Sequence, residues 1–284
     1  MKKNNNNKIT VVLISYKSEK KVLDFIRKKP KHIKTIVIEN SNNQNLKKKI
    51  EKKYNNILVY IRENQGISSS LNYAVKKIKT EYFLQISPDI KFNFENLNYF
   101  YNEAKNLNNK FSALGPRFLN VSTKSHKQID PKLSIGSIKA IHGSCMFINK
   151  KKYIEIDGFD ENFFLYWEEI DYCKRGINKN LKCYQINKIK VKAEGRTVVI
   201  NDLIKKKNLS NLLSWHFIWS KFYFYKKNYG ISLSIVIFLP LLIRTLFKIV
   251  LFKIMNDKEK LEKYKYRLKG LLCSIIDKKS YLRP

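Results

Sequence analysis

Acidic residues are scarce in this sequence. Its 284 residues hold 23 aspartates and glutamates against 57 lysines and arginines, a formal net charge of +34. Such an excess predicts attraction to anions: phosphate-bearing substrates, an acidic membrane surface or nucleic acid. Cysteine is sparse too. Cys145, Cys173, Cys183 and Cys273 show no paired spacing, which argues against a zinc site and for reduced thiols in a cytosolic protein. The four histidines form no ligand motif, and no internal repeat is present. The opening MKKNNNNK lacks the apolar run of a signal peptide, and residues 9–14 are too short for one and read as a strand.

What is present first is an alternation. ITVVLIS (9–15), TIVIE (35–39), ILVYI (57–61) and YFLQI (82–86) are apolar, β-branched runs suited to strands buried on both faces. Helical patterns separate them: Val22, Phe25 and Ile26 before Pro30, then 47–54, then a helix with Leu71, Ala74, Val75 and Ile78 on one face. Alternating strands and helices imply an α/β fold with a parallel sheet, and such sheets bind ligands at the carboxyl ends of their strands. Ser15, Glu39 and the loop 62–66 are candidate contacts by position, and a solvated loop role for Glu39 is an equal alternative. Gly66 and Ser68–Ser70 open a helix where backbone N–H groups either cradle a phosphate or are simply capped. Pro88 holds Asp89 at the end of the fourth strand, as a hard-cation ligand or as a turn former. Further on, 94–107 reads as helix, 112–116 as a short strand and turn, 120–136 as a mobile loop, and 140–149 as a strand bent at Gly143-Ser144. Segments 182–186 and 188–193 read as two edge strands before the loop EGRT.

The stretch 158–176, GFDENFFLYWEEIDYCKRG, is out of character for so basic a chain. Asp160, Glu161, Glu168, Glu169 and Asp171, with Asp157 upstream, stand beside Phe163, Phe164, Tyr166 and Trp167. The pattern is a loop feeding a helix, with acids in its first turn, Arg175 in its last and Gly176 as the C-terminal cap. The acids either cap the helix and pair with basic residues, as Asp171 can with Arg175, or serve as a base whose pKa the aromatic run raises. After residue 200 the composition shifts. Aromatics interleave with lysine over 209–229, and 231–243 is almost wholly apolar before Arg244 and Lys248 interrupt it. A spanning helix needs about 20 apolar residues, so a helix lying in or dipping into one leaflet is the favoured reading. A span over 231–254 and a soluble helical subdomain are the alternatives.

Taken in order over residues 8–197, these motifs resemble glycosyltransferase family 2, with the GT-A fold, and its bacterial rhamnosyltransferase-like members in particular. The matching stretches are VVLISYKS, IVIENSN, ENQGISSSLNYA, LQISPDI, ALGPR, HGSCMFINKKKY and, most specifically, GFDENFFLYWEEIDYCKRG. The resemblance implies a GT-A, Rossmann-like nucleotide-sugar-binding domain over 1–200, and the composition adds a helical, membrane-associating region over 201–284. It implies an inverting glycosyltransferase with Glu169 as base and with Ser15, Glu39, Asn64, Gly66, Asn72 and Asp89 on the donor side. Asp89 would hold Mg2+ or Mn2+, and Gly143, Asp160, Trp167 and Glu168 would shape the acceptor side. The donor would be a UDP- or dTDP-linked sugar, with rhamnose among the candidates. The acceptor would be a lipid-linked or growing surface polysaccharide at the cytoplasmic face of a bacterial inner membrane, the enzyme being peripheral or monotopic. Two departures stand out: Glu168-Glu169 where the family has Glu-Asp, and Ala193 where it often has a metal-binding histidine, with Glu194 as a possible substitute. They leave a catalytically inactive partner subunit as one alternative. A nucleic-acid-binding protein, for which no motif is found, is another.

Overall fold

The computed structural model describes residues 5–120, 128–194 and 203–284. Most of the loop EGRT and the middle of the 120–136 loop lie outside them, as do residues 1–4 of the opening tail. Two compact units emerge: Met1–Asp160 with Glu169–Val199, and Glu161–Glu168 with Ile200–Pro284.

The first unit is built on a nine-stranded mixed sheet in the order β3-β2-β1-β4-β8-β6-β9-β5, with β7 paired to β9. β1 (Ile9–Ser15), β2 (Lys34–Glu39), β3 (Ile57–Ile61) and β4 (Tyr82–Ile86) are parallel, as the alternation of elements requires. β5 (Ile90–Lys91), β6 (Ala113–Phe118), β7 (Ile135–Ile138), β8 (Cys145–Asn149) and β9 (Cys183–Ala193) complete it, and β8 runs antiparallel to β4. Successive side chains of a strand face opposite sides. So Ile9, Val11 and Leu13 join one apolar layer with α1 (Glu19–Lys28), α2 (Gln44–Lys53) and α4 (Asn96–Asn106). Val12 joins the other, with α3 (Gly66–Lys77), α5 (Lys150–Glu155) and α6 (Glu168–Asn178).

Three local expectations are corrected. The segment 183–193 is one strand rather than two edge strands: β6 shifts register between Pro116 and Arg117, so the polar residues around Asn187 form a bulge instead of a break. The strand expected over 140–149 begins only at Cys145, because 140–144 turns. Gly176 does not cap α6, which continues to Asn178. It is needed for close packing, since a Cβ there would lie 2.5 Å from Ser112 Cβ.

The second unit comprises α7 (Leu203–Tyr229), α8 (Ile231–Ile254) and α9 (Lys258–Ile275) together with the segment Glu161–Glu168. Ile218, Phe222, Phe238 and Leu271 form its centre. Phe163 packs edge-on against Tyr223, Phe164 stacks on His216, and Trp167 leans on Phe224. Ser220 donates to the Leu165 carbonyl at 2.9 Å. The aromatic run of the acidic stretch is thus engaged by α7. α8 is long and apolar enough to cross a membrane.

Candidate active site

The carboxyl ends of β1, β2 and β4 gather the first group of candidate residues. Glu39 ends β2 in register with Ser15 of β1 and Ile61 of β3. It is buried, and its Oε1 accepts from the Ser41 N–H at 2.6 Å and from the Ser41 hydroxyl. Ser15 is fully buried, its hydroxyl 3.0 Å from that of Ser18 and its carbonyl accepting from the Asn40 N–H. Asn64 Oδ1 accepts from the N–H of Gly66, whose φ of +93° suits glycine. The carboxamide of Asn72 accepts from Tyr153 Oη–H and the Phe159 N–H and donates to the Phe159 carbonyl, which ties it to the loop before the acidic stretch.

A second group converges on Glu169. The Ser87 N–H donates to the Ser144 carbonyl at 2.9 Å, which ties the Ser87-Pro88-Asp89 turn to the His142-Gly143-Ser144 turn. His142 Nδ1 accepts from the Ser144 N–H at 3.2 Å and lies 2.8 Å from its hydroxyl, while the imidazole packs 4.7 Å from the Phe118 ring. This fixes Gly143, whose backbone N–H pulls the Glu169 carboxyl pKa down. His142 was not singled out in the sequence. Its signal was there, a polar ring directly before a Gly-Ser bend.

Glu169 is half-buried as a residue, yet its Oε2 is enclosed and has no hydrogen-bond partner among the described residues. Burial raises its carboxyl pKa to about 7, against the pull of N–H donors from its own backbone, Ile170 and Gly143. Such a value suits a general base near neutrality. Glu168 is buried, and Asp171 is paired with Arg175 at 2.8 Å, one turn on. Arg175 also donates to the carbonyls of Ile156 and Gly158, which anchors α6. Asp160 is half-buried beside the acidic segment. Tyr166 and Trp167 both have positive φ, +69° and +72°, a conformation rare for bulky residues, directly before Glu168 and Glu169.

Asp89 is 7% exposed, and its carbonyl accepts from the Glu194 N–H. Among the described residues no three His, Cys, Asp or Glu side chains come together to hold a metal. The Glu194 carboxylate pairs with Lys91 at 2.6 Å, both side chains being exposed. One carboxylate fits a cation that completes its shell with phosphate oxygens and water, as magnesium-type sites do. It does not fit a stand-alone metal centre.

A mixed sheet with carboxylates at its strand ends is the architecture of a GT-A fold. The sequence matches glycosyl transferase family 2 over residues 10–173, and the chain belongs to that family. It is 25% identical over 201 residues to the low-salt glycan biosynthesis hexosyltransferase Agl10 of Haloferax volcanii, covering 62% of this chain and 64% of that protein. It is 26% identical over 201 residues to the rhamnosyltransferase WbbL of Escherichia coli, covering 59% and 76%. In fold it resembles GalNAc-T7, crystallised with UDP, GalNAc and Mn2+, at a TM-score of 0.55 and 13% identity over 77% of this chain and 49% of that one. It also resembles a Staphylococcus aureus TarS fragment in complex with UDP-GlcNAc, at 0.51 and 15% over 94% and 91%.

Proposed function

We propose that the chain is an inverting glycosyltransferase. It transfers a hexosyl or rhamnosyl unit from a nucleotide-diphospho-sugar to a lipid-linked or growing surface polysaccharide. The observation that carries this reading is the Glu169 carboxylate, whose Oε2 is enclosed and whose pKa burial raises to about 7. Glu169 takes the proton of the acceptor hydroxyl. That oxygen attacks the anomeric carbon from the side opposite the diphosphate, the bond to the diphosphate oxygen breaks with its electron pair, and configuration inverts. Glu39 and Asp89, at the ends of their strands, serve the donor, and Asp89 is the residue that would hold Mg2+ or Mn2+. A bound divalent ion supplies charge stabilisation to the departing diphosphate. The same enclosed carboxylate weighs against an inert partner subunit, for which a buried acid would be only a cost.

The experiment is transfer by Glu169→Gln with donor binding measured alongside. A positioned base contributes about 10²–10⁴-fold, so turnover falls by at least that much while the nucleotide still binds. Normal turnover would remove Glu169 from the mechanism. Donor binding that needs Mn2+ and is lost in Asp89→Ala supports the metal role, and metal-independent binding refutes it.

The membrane reading rests on α8. Val236, Phe247 and Ile254 are 65%, 61% and 78% exposed, although the helix buries Ser234, Phe238, Thr245 and Phe252. Phe238 meets Phe222 and Tyr225 of α7, and Phe252 meets Tyr264 of lysine-rich α9. A spanning α8 would draw the charges of α9 into hydrocarbon, at about 2.5–3.5 kcal/mol for each lysine near the centre. We therefore place α8 along one leaflet, with lysines at the head groups. Flotation with anionic vesicles tests this. Replacing Val236, Phe247 and Ile254 by serine releases the protein, and continued flotation would defeat the assignment.

A further inference from the structure

Two consecutive residues before Glu168 and Glu169 stand in a conformation that bulky side chains rarely adopt. Tyr166 and Trp167 have φ of +69° and +72°. The left-handed region costs an L-residue about tenfold in population, and two such residues in a row compound the bias. A pair of this kind persists only where its surroundings hold it. The chain also changes unit here: Glu161–Glu168 belongs to the second unit, and the first resumes at Glu169.

Within the second unit the hold comes from α7. The Ser220 hydroxyl, in a fully buried residue, donates to the Leu165 carbonyl at 2.9 Å, directly before Tyr166. The Tyr166 ring meets Phe217 edge-on at 5.7 Å. The Trp167 ring lies 5.1 Å from Phe224 and 6.0 Å from Tyr225. Phe217, Ser220 and Phe224 follow one another at helical spacing, so one face of α7 presents all three. Within the first unit, Arg175 ties α6 to the carbonyls of Ile156 and Gly158. Between Leu165 and Glu168 only the two strained residues are left to make the turn.

We propose that Ser220 and Phe217 are positioning residues, which hold Tyr166 and Trp167 at positive φ and so set the start of α6, where Glu168 and Glu169 stand. This deepens the transferase reading above and rests on it for the role of Glu169. Relaxed to negative φ, the pair would enter α6 from another direction, and the first turn of the helix would lose its place. The donor-side candidates Ser15, Glu39 and Asp89 stand at the ends of their own strands. The hold therefore acts on turnover and leaves donor affinity alone.

Steady-state kinetics on the full chain test this, with the melting temperature of every variant recorded alongside. Ser220→Ala removes the bond to Leu165, and kcat falls about tenfold, the bias against one residue in this region, while KM for the donor is unchanged. Phe217 is 43% exposed, so Phe217→Ala keeps the fold, and it lowers kcat severalfold. Glycine takes positive φ freely. Tyr166→Gly therefore restores most of the lost kcat in either variant, whereas Tyr166→Ala, which removes the same ring and keeps a Cβ, does not. Were the contacts only structural, glycine would destabilise the segment further and rescue nothing. Wild-type kcat in both single variants, equal recovery with glycine and alanine, no recovery with glycine, or a raised donor KM would each overturn the proposal. Normal turnover by Glu169→Gln would remove the base assignment alone, since the comparison of glycine with alanine reads the placement of the segment whichever of its acids takes the proton.

Discussion

The backbone N–H of Gly143 pulls the Glu169 carboxyl pKa down, and the two residues lie close together: a Cβ on Gly143 would stand 3.4 Å from Glu169 Cδ and 3.5 Å from its Cβ and Cγ, ordinary van der Waals contact. A turn between two strands thus backs the Glu169 side chain of α6.

Gly143→Ala therefore sets a methyl against the Glu169 carboxylate without displacing it, and the protein stays folded. The methyl takes water from the carboxylate, and desolvation disfavours its charged form. With Glu169 as the base of the proposed mechanism, the rising limb of the kcat/KM profile moves to higher pH while donor affinity stays intact. An unchanged profile would show the carboxylate to be dry on that side already.

The pH dependence of stability carries a separate sign. The folded-state pKa of Glu169, about 7, stands above its ordinary 4.5. Between those values the folded state holds a proton the unfolded chain releases, so this group makes stability fall as pH rises. Above pH 7 the penalty is complete, roughly 3 kcal/mol at 1.36 kcal/mol per unit. Glu169→Gln should therefore melt higher than the wild type at pH 8, and the gain should vanish below pH 4.5. Equal melting at pH 8 would mean that the carboxylate is solvated.

Much of this was legible in the sequence, and the misreadings have physical causes. Strand-end carboxylates follow from periodicity, because β-branched runs fix where Glu39 and Asp89 must fall. The acidic stretch was visible as composition. Its aromatic half was not assignable, since Phe163, Phe164 and Trp167 find their partners on α7, some fifty residues later. The bulge at Asn187 read as a break because polar side chains there bond the carbonyls of Asp130 and Leu133, far off in the chain. Asn72 is placed on the donor side by motif alone, and its bonds to Phe159 could be read only from coordinates.

His216 predicts an acid sensitivity of the second unit. Its Nε2 donates to the Leu282 carbonyl, Ser280 Oγ lies 3.1 Å from Nδ1, and its ring stacks on Phe164. Burial lowers its pKa to about 4, from 6.5. The unfolded chain binds the extra proton between those values, so the stability this neutral ring contributes is complete above pH 6.5 and is lost as pH falls toward 4. His216→Ala should cost about 2–4 kcal/mol at pH 7.5 through lost packing and hydrogen bonds. Its stability should also depend less on pH between 4 and 6.5 than that of the wild type. Parallel pH curves for the two proteins would place the acid sensitivity elsewhere.

Gly176 opposes helix propensity to packing. Alanine in a helix interior is favoured over glycine by about 1 kcal/mol, and Gly176 lies inside α6 with no positive φ to require it. Yet an added Cβ would meet Ser112 Cβ at 2.5 Å and the Leu181 carbonyl at 3.2 Å, both close to rigid backbone. Overpacking of that kind costs about 1–3 kcal/mol. Gly176→Ala should therefore be destabilising on balance, and because α6 also carries Glu169, its kcat should fall along with its melting temperature. The double variant Gly176→Ala with Ser112→Gly removes the opposing Cβ and should recover both. Denaturant unfolding of the two variants decides the matter, and a single variant more stable than the wild type would mean that propensity outweighs the contact.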